Sequence, residues 1–290
     1  MSAETAGLRQ IAVGAALAGG LLARRMRSHL LDVRLKHDGS EVSEADLRAQ
    51  ELVVRTILAA RPHDRILGEE TLAEPATAAT GAAGGHLANI VHPAARPLEP
   101  HEVCWIIDPI DGTRNYVRGL PGYGCAVAAM RGGRTIAAAT YDVSDDCMYS
   151  ASVDEGFFIG GERFDRARAD ARRGRTAKLL IAVPSGVAGD PRRLIEAWFA
   201  PHLLRNYGAA ALHLCYIAAG GLDAMLAADC RLWDLAGGAL FVEAMGGKIA
   251  RLDGSPLFPF DVNSYRGEPL TSLFARDEAT HVQLLSPLTG

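Results

Sequence analysis

The stretch Trp105-Ile106-Ile107-Asp108-Pro109-Ile110-Asp111-Gly112-Thr113 decides how this chain is read. It begins in a short apolar run from Val103 to Ile107, and such a run bounded by turn residues reads as a buried strand. The strand is expected to end at Asp108, with a turn at Pro109 and a helix opening at Gly112 and Thr113. Two carboxylates three residues apart at a strand end aim into one crevice. Carboxylates and a backbone carbonyl are the hard oxygen ligands that Mg²⁺ prefers, and free N–H groups at Gly112 and Thr113 would suit a phosphate. Alone, the string also has a plainer reading, with Asp111 as a helix cap and Asp108 as a turn residue.

Other acidic pieces lie on both sides of it. Gly68-Glu69-Glu70 follows the apolar pair Ile66-Leu67, again at a strand end. Trp233-Asp234 precedes a helix expected from Leu235 to Met245, where an aspartate is a natural N-cap. Ser43-Glu44-Ala45-Asp46 fits the capping-box pattern and opens a helix to about Ala60, with Leu47, Val54 and Leu58 on one face. The segment from Thr71 to Pro100 is rich in Ala, Gly, Thr and Pro without periodicity and reads as a long mobile loop of the lid or binding kind.

Downstream, Cys125–Met130 and Thr135–Tyr141 read as a hairpin across Gly132-Gly133, and Cys147–Val153 with Phe157–Ile159 as a second. Strands at Leu179–Val183, Asp223–Leu226 and Lys248–Ala250 then alternate with helices at Pro191–Phe199, Ala209–Ala219 and Leu235–Met245. Strands grouped early and alternating with helices later indicate an α+β half joined to an α/β half. The polar, arginine-rich stretch from Arg166 to Arg175 suggests the boundary, giving halves of 1–170 and 171–290.

Composition narrows the classes. Of 290 residues 49% are hydrophobic and 22% charged, as in a globular protein and unlike a disordered one. A net charge of -4 gives no electrostatic case for nucleic acid or an anionic membrane surface. The apolar run Ile11–Leu22 is shorter than the about 20 residues a bilayer requires, and the basic cluster Arg24-Arg25-Met26-Arg27 suits the exposed end of a first helix. Cys104, Cys125, Cys147, Cys215 and Cys230 are odd in number and show no ligand spacing, so reduced thiols in a cytoplasmic protein are expected. The nine histidines, His86 and His92 among them, do not cluster, and no Ser–His–Asp or Cys–His set is evident.

Together the acidic pieces resemble the inositol monophosphatase family, within the lithium-sensitive, metal-dependent sugar phosphatases. The matching pieces occur in the family's order. They are Lys36 with Val42-Ser43-Glu44-Ala45-Asp46, Gly68-Glu69-Glu70, Trp105 to Asn115, Gly208 with the helix after it, and Trp233-Asp234-Leu235-Ala236-Gly237-Gly238. Gly246-Gly247-Lys248-Ile249 also matches, so the resemblance spans nearly the whole chain.

The resemblance implies a layered αβαβα sugar-phosphatase fold, two or three Mg²⁺ ions and a homodimer. It places Glu69, Asp108 and the Ile110 carbonyl on a first ion, and Asp108, Asp111 and Asp234 on a second, with a weaker third near Glu69 and Glu70. Thr113, bonded to Asp46 and assisted by Glu70, would orient and deprotonate the attacking water, and Gly112 with Thr113 would bind the phosphate. Residue chemistry supports this: two carboxylates about 4 Å apart repel by about 4 kcal/mol at an effective dielectric of 20, so four or five in one pocket call for cations.

Substrate choice departs from the family's pattern. The glutamate usual seven residues before the Trp-Asp aspartate is here Ala227, which cannot accept a hydrogen bond from a ring hydroxyl, and the Ser or Thr usual after Gly208 is Ala209. Arg118, Ser185, Arg205 and Tyr207 are the remaining substrate-side candidates. The expected substrate is a small sugar, cyclitol or amino-alcohol phosphate. Histidinol phosphate is one case, because Asn115-Tyr116-Val117-Arg118-Gly119 looks like that branch. Alternatives are a nucleotide 3′-phosphatase, a non-catalytic relative that binds a phosphorylated ligand, and a metal-independent glycosidase built on paired carboxylates.

Overall fold

The structure is a computed structural model, and it describes residues 2–27, 33–35, 41–73, 97–173 and 177–289. Lys36, His86, His92 and most of the 71–100 segment lie outside the described residues. The chain opens with helix α1 (Ser2–Met26), a short antiparallel pair β1 (Val33–Leu35) and β2 (Glu41–Ser43), and helix α2 (Glu44–Ala60). Then come β3 (Arg65–Gly68), α3 (Glu69–Ala73), β4 (Cys104–Asp111) and α4 (Thr113–Val117). A meander follows: β5 (Gly124–Arg131), β6 (Arg134–Asp142), β7 (Cys147–Ser152), β8 (Gly156–Ile159) and β9 (Glu162–Phe164). Beyond α5 (Arg166–Arg172) lie β10 (Leu180–Ala182), α6 (Gly189–Trp198), β11 (Leu203–Arg205), α7 (Ala210–Ala219) and β12 (Ala224–Ala227). The chain ends with α8 (Leu232–Ala244), β13 (Lys248–Ala250), β14 (Ser272–Ala275) and α9 (Glu278–Thr289).

Two sheets result. One has seven strands in the order β3-β4-β5-β6-β7-β8-β9, and the other five in the order β11-β10-β12-β14-β13. Side-chain alternation along β4 shows how they stack. Trp105 and Ile107 face a core shared with α1 and α2, while Cys104 and Ile106 face a second core shared with α7 and α8. That second core continues to Met225 and Ala227 of β12, whose alternate residues Ala224 and Leu226 meet Leu194 and Trp198 of α6 and Leu284 of α9. The order is therefore helices, sheet, helices, sheet, helices, the layered architecture expected from the sequence.

Several local readings need correction. The strand does not stop at Asp108. β4 runs to Asp111, and its pairing with β5 shifts register between Asp108 and Asp111, so the proline is absorbed as an irregularity instead of a turn. Asp234 does not precede its helix: α8 begins at Leu232 with Arg231 as N-cap, and Asp234 accepts the Arg231 N–H at 2.5 Å. On α2 the buried face is Ala45, Asp46, Ala49, Val53, Ile57 and Leu58, and Leu47 is 46% exposed. Helix α1 packs closely on this face: a Cβ on Gly19 would come within 2.7 Å of Val53 Cγ2. The stretch from Arg166 is helical through Arg172, with Arg166 donating to the Met245 and Arg276 carbonyls.

Helix α1 also exceeds its sequence reading. From Ala3 to Met26 it is long and apolar enough to cross a membrane by length and composition. In the fold Leu8, Ala12, Ala15, Ala16 and Ala23 are buried against α2 and the seven-stranded sheet. Its basic end is partly engaged: Arg27 lies 4.6 Å over the Tyr123 ring and donates to the carbonyls of Tyr116 and Leu120.

Candidate metal centre

Three elements deliver the carboxylates. The register shift at the end of β4 presents Asp108 and Asp111 together, and the first turn of α8 brings Asp234 to them. Each offers one oxygen, and these three oxygens all lie within 4.8 Å of one another. Asp108 is 1% and Asp111 6% exposed. Glu69 opens α3 at the end of β3, and its charge bears on both Asp108 and Asp234.

Burial so close to like charges has a definite electrostatic effect. Asp108 is pushed well above the usual carboxylate range by desolvation first, then by Glu69, Asp111 and Asp234. Desolvation and the charge of Asp234 raise Asp111, against the pull of three backbone N–H donors. Desolvation and Glu69 lift Asp234 to about 7, although the Arg231 N–H opposes the shift. A divalent cation would remove the strain that protons otherwise relieve. Clustered carboxylates with a backbone carbonyl form a donor set suited to a hard ion such as Mg²⁺.

Asp111 has a second duty. Its Oδ1 accepts the Ala210 N–H at 3.0 Å, and its Oδ2 accepts those of Ala211 and Leu212 at 2.9 and 3.3 Å. These are orphan donors of the first turn of α7, so Asp111 does cap a helix, though one distant in sequence. The cap and ligand readings of this residue are compatible.

Beside the cluster, Asp46 Oδ2 accepts the Ser43 N–H at 2.8 Å and the Ser43 hydroxyl at 2.6 Å. Its Oδ1 receives the Thr113 hydroxyl at 3.3 Å, and the Ile110 carbonyl lies 3.0 Å from that hydroxyl. Glu70 is 5% exposed, with its N–H donated to Gln50 Oε1 at 3.0 Å. Gly112 has φ +86°, and a Cβ there would sit 2.7 Å from the Gly122 carbonyl, so the turn from β4 into α4 requires glycine.

A cavity of about 650 Å³ opens over Asp111 and Asp234. Of the substrate-side candidates, Arg118, Ser185, Tyr207 and Ala209 line it. Arg205 does not, since it turns back to the Leu204 carbonyl. Ala227 does not either, being fully buried within β12. Sequence reasoning missed Arg114, Asn206, His213 and Asp229 as lining residues. Arg114 adjoins Thr113 and could have been found from the motif, whereas nothing in the sequence marks Asn206 or His213. His213 is held neutral by burial, at about 4, and its Nε2 accepts the Tyr207 N–H at 3.1 Å. Asn115 donates to the carbonyls of Gly122 and Tyr207, clasping α4 to the segment before α7.

The sequence model of the inositol monophosphatase family matches residues 5–281. This chain belongs to that family. Among its inositol monophosphatase relatives, the inositol-1-monophosphatase SuhB of Mycobacterium tuberculosis is 30% identical over 263 residues, 85% of this chain and 84% of that protein. The Nus factor SuhB of Pasteurella multocida is 30% identical over 246 residues, 82% of each chain. The solved extragenic suppressor protein suhB of Bartonella henselae superposes with a TM-score of 0.77 at 25% identity, covering 97% of this chain and 98% of that one. The order of acidic motifs along this inositol monophosphatase relative therefore goes with the family's fold as well.

Proposed function

We propose that this protein is a Mg²⁺-dependent phosphomonoesterase acting on a small phosphorylated metabolite. The observation that carries the reading is the set of three mutually close carboxylates, Asp108 and Asp111 deeply buried, of which Asp111 and Asp234 line an open cavity. Glu69, Asp108, Asp111, Asp234 and the Ile110 carbonyl would hold two or three ions. When bound, the ions neutralise the cluster, lower the pKa of water and stabilise charge on the attacking and leaving oxygens.

The chain's own groups then have separate tasks. The Thr113 hydroxyl donates its hydrogen bond to Asp46 or to the Ile110 carbonyl, which leaves its lone pairs free to accept from water. Ser43 holds the other Asp46 oxygen, so Oδ1 stays aimed at Thr113. Glu70 stands by as a further acceptor. The N–H groups at the turn of Gly112 and Thr113 face the phosphate. In-line attack needs no covalent intermediate, and most of the acceleration comes from positioning and fixed charge.

Ala227 supplies no acceptor for a ring hydroxyl, which disfavours a cyclitol phosphate as the main substrate; an amino-alcohol phosphate such as histidinol phosphate and a nucleotide 3′-phosphate remain within the same chemistry. A cytoplasmic homodimer inhibited by lithium is part of this reading. The test is phosphate release from a panel of monoesters with Mg²⁺ and with EDTA. Metal-dependent release supports the proposal, and complete inactivation by EDTA excludes the metal-independent glycosidase; release that survives EDTA defeats the proposal. A second reading is a non-catalytic relative that binds a phosphorylated ligand or partner, which metal and ligand binding with no release from any ester would support; one relative carries the name Nus factor.

A further inference from the structure

Resting on the phosphomonoesterase reading, and choosing against the amino-alcohol phosphates that reading leaves open, the structure assigns Arg114 and Arg118 to a second anionic group, a carboxylate or second phosphate, on the leaving-group side of the substrate. Both residues line the cavity that opens over Asp111 and Asp234. They stand four apart across α4, with the Arg118 N–H donated to the Arg114 carbonyl at 3.2 Å, so their side chains leave the same side of the turn. Neither side chain has an ion-pair or hydrogen-bond partner among the described residues. Like charges four apart on a helix repel, and a bound anion would relieve that repulsion.

Polar accounting of the wall points the same way. Asn115 spends its amide donor on the Gly122 and Tyr207 carbonyls. Asn206 donates to Ser185 Oγ at 2.9 Å and accepts the Gly208 N–H at 2.8 Å. His213 accepts the Tyr207 N–H. Ala209 offers the wall no hydroxyl and the Asn115 and Asn206 amides hold loops, which leaves the Ser185 and Tyr207 hydroxyls and the His213 Nδ1–H as its neutral donors. The arginines are the strong donors left, and guanidinium groups pair with planar or tetrahedral oxyanions through paired N–H bonds. A cavity of about 650 Å³ also has room for more than one phosphate.

The decisive comparison uses esters that differ only in the distal group: glycerol 3-phosphate against 3-phosphoglycerate, and glucose 1-phosphate against glucose 1,6-bisphosphate. With Mg²⁺, kcat/KM should favour the anionic member of each pair by about tenfold or more, as charge-assisted hydrogen bonds would give. In the Arg114→Ala/Arg118→Ala double variant that ratio should fall to about one, mainly through KM, and Arg118→Lys should restore part of it. A parent ratio near one would overturn the assignment. So would a ratio unchanged in the double variant while both substrates weaken equally, since the arginines would then contact the scissile phosphate. Preference for ethanolamine phosphate would overturn it too, and would point to Asp229. If no ester is hydrolysed, the phosphomonoesterase reading fails by itself. Calorimetric affinities of the same pairs for the Mg²⁺-loaded protein and its double variant then decide the arginine assignment by the same ratios.

Discussion

Asp111 accepts the Ala211 N–H at 2.9 Å, so a carboxylate that faces Asp108 and Asp234 also seats the first turn of α7. One residue thus belongs to the acidic cluster and also joins β4 to α7. Replacing Asp111 by Ala strips three backbone donors of their acceptor and should lower unfolding free energy by about 1–3 kcal/mol. Asp111→Asn keeps an acceptor oxygen and should cost less. Both should weaken Mg²⁺ binding, so urea denaturation and calorimetry together separate the two duties.

Asp108 is the most isolated from water of the cluster and is destabilised as an anion by three neighbours. Asp108→Asn should abolish metal-dependent turnover even at saturating Mg²⁺. The metal-free variant should be at least as stable as the metal-free parent, because the substitution removes a charge the fold holds unwillingly. Near-normal phosphate release by this variant would refute the ligand assignment.

Stability of the metal-free protein should depend on pH in a direction opposite to that of an ion-paired carboxylate. Asp234 is raised to about 7, against about 3.9 for an aspartate in an unfolded chain. Between those values the folded state binds more protons than the unfolded one, so stability falls as pH rises from about 4 through 7. The loss is on the order of a few kcal/mol. Thermal denaturation in EDTA from pH 5 to 8 should show a declining midpoint. Added Mg²⁺ should raise the midpoint most at pH 8 and least at pH 5.

Gly19 on α1 tests whether that apolar helix is a packed part of the fold. A methyl group there meets Val53 Cγ2 at 2.7 Å and Cys125 Sγ at 3.0 Å. Gly19→Ala should therefore cost about 1–3 kcal/mol by overpacking, read as a lowered urea midpoint. Gly14, whose added methyl meets nothing, is the control position, and its substitution should leave the midpoint unchanged or raised.

The acidic motifs are legible because each sets carboxylates at the edge of an apolar run or the start of a helix, and the first hairpin because the pair Gly132-Gly133 interrupts two apolar runs. Other features depend on contacts no local pattern encodes. On α2 the expected Leu58 is buried but Leu47 is not, because Ala45 and Ala49 share the buried face with Val53 and Ile57 and alanine carries little periodic signal. Asp111 as the cap of α7 links positions 99 to 101 apart, beyond any capping rule read along the chain. Strand β11 is three residues long and β14 follows a long irregular segment, so neither stands out until its neighbours in the sheet are known. Ala227 is assigned by its spacing from the Trp-Asp motif and Arg205 by its charge alone, while their orientation is set by β12 and β11.

Strand β3 occupies the edge of its sheet and bonds only to β4, whereas β4 is flanked on both sides. The support beneath Glu69 is thus softer than that beneath Asp108 and Asp111. In hydrogen exchange the amides of Arg65–Gly68 should fray ahead of those of β4 and β5. Any cation leaning chiefly on Glu69 and Glu70 would sit on a hinged arm and exchange fastest with solvent, while one gripped by Asp108, Asp111 and Asp234 would be the last to leave.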